Sequence, residues 1–179
     1  MIKNFRRISE LQVRKAKEKD LDIIVQIIKD EIYPELSFAE MKKWIKSLGW
    51  PPNPYVQWFV LEENGEIIGT MRWEVFDRYD ERLILMSSWI AIKREYQHQG
   101  YGSYLWQKSK NILNEYWRSE GCKIVLIFTE TEMENSSACN FYRKMLGNDL
   151  IEVKMPKIWW PKNNVIWFFK EERDKLGHQ

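Results

Sequence analysis

Ile90-Ala91-Ile92-Lys93-Arg94-Glu95-Tyr96-Gln97-His98-Gln99-Gly100-Tyr101-Gly102-Ser103-Tyr104-Leu105 is the stretch around which the rest of the chain is organised. It opens as an apolar strand, passes through a polar loop with two glycines and enters a periodic helix. Glycine lets the backbone turn tightly and approach a ligand with no Cβ in the way. A helix start adds N–H groups without intrahelical acceptors and the positive dipole end, equivalent to about half a charge. Strand, loop and helix together therefore form a ready cradle for a phosphate group. The side chains exclude two owners of such a cradle. A Walker loop needs Lys-Ser or Lys-Thr straight after its last glycine, where this chain has Ser103-Tyr104. A dinucleotide fingerprint needs Gly or Ala three residues after Gly102, where it has Leu105.

Upstream, residues 83–92 form a long, mostly apolar strand that feeds this loop. Before it lies a hairpin of strands 56–62 and 66–76 around Asn64-Gly65, a strong turn signal, followed by the charged turn Asp77–Glu81. Gly69, inside the second of those strands, marks a bulge or a close backbone approach. Earlier still, 12–16 reads as a first strand. Asp20 is placed to N-cap a helix carrying Leu21, Ile24, Ile28 and Ile32, which ends before Pro34. Ser37 and Glu40 make a capping box ahead of Met41, Trp44, Ile45 and Leu48, with Gly49 as the stop. Downstream, the helix after the loop runs to about residue 117 or 118 on Leu105, Ile112, Leu113 and Tyr116. A buried strand over 123–128 and a polar acidic loop follow. A last helix then carries Ala138, Phe141, Tyr142, Met145 and Leu146, and strands 150–154 and 165–170 close the chain. The order β-α-α-β-β-β-α-β-α-β-β is a mixed α/β layer. It makes one domain over 11–170, with an extension at 1–10 and a polar tail at 171–179.

Composition narrows the function classes. In 179 residues, 44% hydrophobic and 30% charged residues suit a single folded core. A net charge of +2, from 28 basic and 26 acidic residues, calls for no polyanionic partner, so no nucleic acid is expected. Apolar runs such as 124–128 and 165–169 stop at five residues, against the roughly 20 of a membrane helix. No apolar region follows the N-terminal basic residues, so a cytoplasmic setting is expected rather than secretion. Cys122 and Cys139 have no metal-like spacing and make no disulfide framework, and only His98 and His178 are available as imidazoles. Neither a metal site nor a Ser-His-Asp triad is expected. The ten tryptophans read first as core and sheet-face packing.

Gln97-His98-Gln99-Gly100-Tyr101-Gly102 resembles the Gln/Arg-x-x-Gly-x-Gly/Ala motif of the GCN5-related N-acetyltransferase (GNAT) superfamily. Asn135-Ser136-Ser137-Ala138-Cys139-Asn140-Phe141-Tyr142-Arg143-Lys144 is similar to the superfamily's Asn-x-x-Ala-x-x-(aromatic or Leu)-Tyr-x-Lys segment. Residues 13–21 are similar to its opening strand and helix entry, and with the element order the resemblance spans about 11–170. Arg94 departs from the proline common before the loop, His98 from a frequent glycine, and Lys144-Met145-Leu146-Gly147-Asn148 is one residue longer than usual. The resemblance implies a twisted, mixed but mostly antiparallel sheet of about seven strands flanked by about four helices. It also implies transfer of an acetyl group from acetyl-CoA to a primary amine, by direct attack in a ternary complex.

The resemblance implies roles as well. Backbone N–H groups of His98, Gln99, Gly100, Tyr101, Gly102 and Ser103 bind the pyrophosphate, and Gln97 braces the loop or reaches the cofactor. The backbone near Ile90 and Ile92 pairs with the pantetheine arm where the fourth and fifth strands splay. Asn135 hydrogen-bonds that arm or caps the last helix. Tyr142 protonates the departing thiolate, a tyrosine pKa of about 10 lying near enough to a thiol's of about 8.5; on spacing alone it simply extends an apolar helix face. For the general base Glu130 is the nominal choice among Glu132, Glu134, Glu74 and Asp77, each of which also reads as a solvated loop charge. The acceptor side gathers Asp30, Glu31, Tyr33, Glu35, Trp44, Trp159 and Trp160, a set suited to a cationic small amine or a peptide amine. A homodimer is the family-level expectation. A non-catalytic acyl-CoA sensor on the same fold, and an interaction module using exposed tryptophans, are the rival readings.

Overall fold

The computed structural model describes residues 11–155 and 165–172. In chain order these form β1 (Leu11–Lys15), α1 (Leu21–Glu31), α2 (Phe38–Ser47), β2 (Val56–Glu63), β3 (Glu66–Tyr79), β4 (Arg82–Ile92), α3 (Tyr101–Ser119), β5 (Lys123–Glu132), α4 (Ser136–Leu146), β6 (Ile151–Met155) and β7 (Val165–Glu171). Short 3-10 turns lie at Glu18–Asp20 and Arg94–Tyr96. The order is the one expected from the sequence. All seven strands join one mixed sheet in the order β1-β2-β3-β4-β5-β7-β6. The β4–β5 pair is parallel, while β1–β2, β5–β7 and β6–β7 are antiparallel. The β4–β5 ladder runs from Arg82↔Lys123 to Ser87↔Thr129, and both strands continue beyond it, to Ile92 and Glu132.

Local chemistry accounts for most boundaries. Ser37 Oγ accepts from the Glu40 N–H at 3.3 Å and Glu40 accepts from the Ser37 N–H at 2.9 Å, closing the capping box. Asn64 and Gly65 sit at φ 53° and 82°, the pair of left-handed residues that a tight two-residue hairpin turn requires. Three boundaries differ from expectation. Strand β3 runs through Tyr79, so Asp77, Arg78 and Tyr79 of the expected turn are strand residues. Asp20 does precede α1, but its carboxylate accepts from the Lys17 N–H at 2.7 Å and from Arg14 at 2.6 Å instead of capping that helix. And β5 extends through Glu132, because Thr129–Glu132 pair with Phe168–Val165 of β7. Glu130 and Glu132 are therefore strand residues, not loop charges.

The described residues form two compact units, one built on residues up to Arg72 together with Trp89–Ser109, the other on Trp73–Ser88 and residues from Lys110 on. In the first, Leu21, Ile24, Val25, Ile27 and Ile28 of α1 meet Met41 and Ile45 of α2 over Trp58, Val60 and Ala91. Strand β2 is buried on both faces, since Phe59 and Leu61 are also at 0% exposure, so it reads as an apolar run rather than an alternation. Arg14 ties the edge of this unit together, bridging Asp20 and Glu62 at 2.6 Å each. In the second unit Ile127, Thr129, Ile166 and Phe168 are buried, with Tyr142 of α4 5.9 Å from the Phe168 ring centre. The alternate residues carry a ladder of rings, with Phe128 against Phe169 at 5.7 Å, Trp167 at 6.1 Å and Phe76 at 4.8 Å.

Candidate acyl-CoA site

The strand-to-helix passage is held by its own side chains. Gly69 lets β3 approach the end of β4 closely: a Cβ there would lie 2.4 Å from Ile92 Cδ1 and 3.1 Å from the Ala91 oxygen. The Lys93 N–H then donates to the Ile68 carbonyl at 2.9 Å, and its ammonium pairs with Glu66 at 2.5 Å. Gln97 turns inward. Its amide nitrogen donates to Glu31 Oε2 at 2.9 Å and to the Ile92 carbonyl at 2.8 Å. Gln99 folds back to the Glu95 carbonyl at 3.0 Å. Tyr101, the first residue of α3, is buried, and its hydroxyl donates to Glu63 at 2.9 Å. Between these anchors, His98 and Gly100 take left-handed backbone at φ 60° and 90°.

The three side chains point to protein partners, leaving the exposed backbone of 98–100 and the first turn of α3 as the loop's outward face. Left-handed residues within a loop turn successive N–H groups toward a common side, and the amides of Tyr101, Gly102 and Ser103 have no intrahelical acceptor. The helix takes over at the Tyr104 N–H, which donates to the Gly100 carbonyl at 3.0 Å. A Cβ at Gly100 would meet nothing within 4 Å, so the space beside that residue is open. The residues present thus fit a pyrophosphate bound mainly by backbone. Upstream, Ile92 has its carbonyl engaged by Gln97, Ile90 is half-buried, and Trp89 stands mid-strand at φ 52°. A tryptophan in that region is strained, and no sequence signal announced it. Its ring meets Trp44 at 4.8 Å, Tyr33 at 5.7 Å and Trp58 at 6.0 Å.

In the second unit Tyr142 is 4% exposed. Burial raises its phenol above the ordinary value, the neighbouring Thr129 hydroxyl partly offsets this, and Glu130 adds to it. Thr129 in turn donates to the Ser87 carbonyl at 2.9 Å. Glu130 is half-buried opposite Trp167 in the β5–β7 register. Burial pushes its carboxyl above the usual range, a hydrogen bond from Trp167 works against the rise, and Glu74 adds repulsion. Adjacent strand residues point to opposite faces, so Thr129 with Tyr142 lies on one side of β5 and Glu130 with Trp167 on the other. Asn135 caps α4, its Oδ1 accepting from the Ala138 N–H at 3.0 Å.

The remaining acceptor-side candidates scatter. Asp30 is exposed and bonded to Gln26 and Lys29, Glu35 is exposed, and Trp159 and Trp160 lie outside the described residues. Glu31 turns to the loop. Arg72 reaches the Leu48 carbonyl just past the end of α2 at 3.3 Å. Among the described residues no group of three or more His, Cys, Asp or Glu side chains is placed to hold a metal ion. Nor is any described helix long and apolar enough to cross a membrane.

Comparison with known proteins bears on the fold and the family. No curated protein sequence matches the chain. Among solved structures, the ribosomal-protein-S18-alanine N-acetyltransferase of Escherichia coli superposes with a TM-score of 0.69 at 16% identity, over 93% of this chain and 99% of that one. A chimera of the Vibrio cholerae spermidine N-acetyltransferase SpeG and hSSAT gives 0.67 at 17% identity, over 90% and 95%. The PaiA N-acetyltransferase of Thermoplasma acidophilum, in complex with coenzyme A, gives 0.61 at 16%, over 90% and 99%. At such identities these likenesses speak for the fold alone. The sequence profile of the acetyltransferase (GNAT) family, however, matches residues 20–147, from the turn before α1 through α4 and including the whole glycine loop. With well over half of its length matched, the chain belongs to the GNAT acetyltransferase family.

Proposed function

We propose that the protein transfers an acetyl group from acetyl-CoA to a primary amine by direct attack in a ternary complex. The observation that carries this reading is the loop over 97–103 of a GNAT-family chain, whose side chains are spent on internal bonds while its left-handed residues and helix start offer N–H groups. In this reading those amides bind the pyrophosphate, and Ile90 and Ile92 offer backbone groups to the pantetheine arm. Gln97 acts as the brace, and Asn135 holds the start of α4, the helix that carries Tyr142.

The chemistry follows from two opposed proton needs. An amine of pKa about 10.4 is protonated at pH 7, and presenting it neutral costs about 4.6 kcal/mol. Glu130 takes that proton, and its upward shift makes it a stronger base than an ordinary carboxylate. The amine nitrogen then bonds to the thioester carbonyl carbon, the C–S bond breaks and the thiolate takes the Tyr142 proton; the nitrogen sheds its remaining extra proton to solvent, from which the Tyr142 phenolate recovers one. Burial keeps Tyr142 protonated at neutral pH. A cationic acceptor suits the Tyr33, Trp44 and Trp89 rings, which lie within 6 Å of one another.

The test is thiol release from acetyl-CoA across a panel of polyamines, small aromatic amines and peptides with free N-termini. Amine-dependent release with stoichiometric acetylated product supports the enzyme. Saturable acetyl-CoA binding without release on any amine would instead mark a sensor.

A further inference from the structure

We propose that Glu31, the last residue of α1, is a positioning residue for the acyl-CoA loop; this rests on the reading of that loop given above. Its place is unfavourable for the helix that carries it. A carboxylate in the last turn faces the negative end of the helix dipole, against a preference for cations there. The side chain leaves the helix and reaches a segment more than sixty residues away. Oε1 accepts from the Arg94 N–H at 3.0 Å and Oε2 from the Gln97 amide at 2.9 Å. Arg94 opens the 3-10 turn Arg94–Tyr96, so its N–H is one that the turn cannot satisfy internally. Glu31 thus caps that turn from another element.

The second oxygen extends the hold. Gln97 spends its other amide hydrogen on the Ile92 carbonyl at 2.8 Å, so a continuous chain runs from the Ile92 backbone through Gln97 and Glu31 to the Arg94 backbone. It spans the bend between β4 and His98, the first left-handed residue of the cradle. Hydrogen bonds to a charged acceptor are the stronger kind. A glutamine at 31 keeps the shape but loses the charge, and its NH2 faces a donor. Glu31 carries negative charge beside a site that takes an anion, so its contribution is to fix the loop and not to contact the ligand.

The experiment titrates acetyl-CoA into wild type, Glu31→Ala, Glu31→Gln, Gln97→Ala and the double Glu31→Ala/Gln97→Ala protein. The melting temperature and amide hydrogen exchange over 93–100 are read in parallel. If the competent loop falls to about a tenth of the population, the apparent Kd rises about tenfold. Glu31→Ala should show that rise with faster exchange at 93–100, Glu31→Gln should fall between it and wild type, and the double variant should be scarcely worse than either single one. A lowered melting temperature with unchanged Kd and unchanged exchange at 93–100 would make Glu31 merely structural and overturn the proposal. Independent, additive effects of the two residues would overturn it too. Wild type failing to bind acetyl-CoA removes the acyl-CoA reading and this inference with it, whereas binding by wild type with Glu31→Ala unchanged removes the inference alone.

Discussion

Replacing Tyr142 by phenylalanine separates its structural part from its chemical one. The ring stays where it is, 5.9 Å from Phe168 and 5.4 Å from Phe141, so no cavity opens. The hydroxyl's neighbour Thr129 keeps its own acceptor, the Ser87 carbonyl at 2.9 Å. The stability loss is therefore that of one neutral hydrogen bond, about 0.5–1.5 kcal/mol. For a chain of this size that is a fall of about 1–6 °C in Tm. Removing a general acid, by contrast, costs about 10²- to 10⁴-fold in rate, or about 2.7–5.5 kcal/mol. Single-turnover thiol release with saturating acetyl-CoA and amine reads the chemical step directly, and titration calorimetry reads cofactor affinity. The expected result is a rate at least about a hundredfold lower with Kd unchanged to within about twofold. An unchanged single-turnover rate would strip Tyr142 of its role, leaving a buried ring on the apolar face of α4.

Three further outcomes follow from the same geometry. Gly69→Ala drives a Cβ to 2.4 Å from Ile92 Cδ1, and such overpacking costs about 1–3 kcal/mol. Ile92→Val deletes that methyl, so the double variant should be more stable to urea than the two single losses added together; strict additivity would show that the two residues do not meet. Asp20 has its carboxyl pushed up by burial, but Arg14 and the Lys17 N–H outweigh this and hold it below the usual range. Its stabilisation is thus full above the unfolded value near 4 and is lost as pH falls through the folded one. Asp20→Asn should lower the urea midpoint at pH 7 and flatten its decline in acid, and an acid limb of unchanged slope would contradict the assignment. Glu130 is raised instead, so the native state holds its proton longer than the unfolded chain and stability falls as pH rises through that window. Glu130→Gln should be relatively more stable than wild type at pH 7, yet slower, with the acidic limb of its pH–rate profile gone. A less stable variant with an unchanged profile would return Glu130 to an ordinary strand charge.

The element order was legible because most boundaries carry local chemistry. Ser37 with Glu40, Asn64 with Gly65 and Gly100 of the loop are short-range signals, and the structure uses each within a few residues. The length of β5 was hidden, since Thr129–Glu132 look like a polar loop until β7, more than thirty residues on, supplies their partners. The site divides in the same way. The loop could be read because its conformation demands glycine at 100, and Asn135 because capping is local. Glu31 was visible only as an acid near the end of a helix, its bonds to Arg94 and Gln97 joining residues 63 and 66 positions apart. The left-handed backbone at Trp89 had no signal at all, because tryptophan does not favour that region and only the packing of Trp44, Tyr33 and Trp58 accompanies it there.

On the function proposed above, the backbone of 98–103 holds the pyrophosphate of the acyl donor. Parallel calorimetric titrations with acetyl-CoA and with S-acetylpantetheine, which keeps the thioester and the arm but lacks the pyrophosphate and nucleotide, isolate that contribution. Acetyl-CoA should bind saturably, S-acetylpantetheine far more weakly, and a bulky residue at Gly100, which must adopt φ near 90° and project into the open space beside it, should abolish most of that difference. Equal affinity for the two donors, or no binding of acetyl-CoA to the wild-type protein, would contradict it.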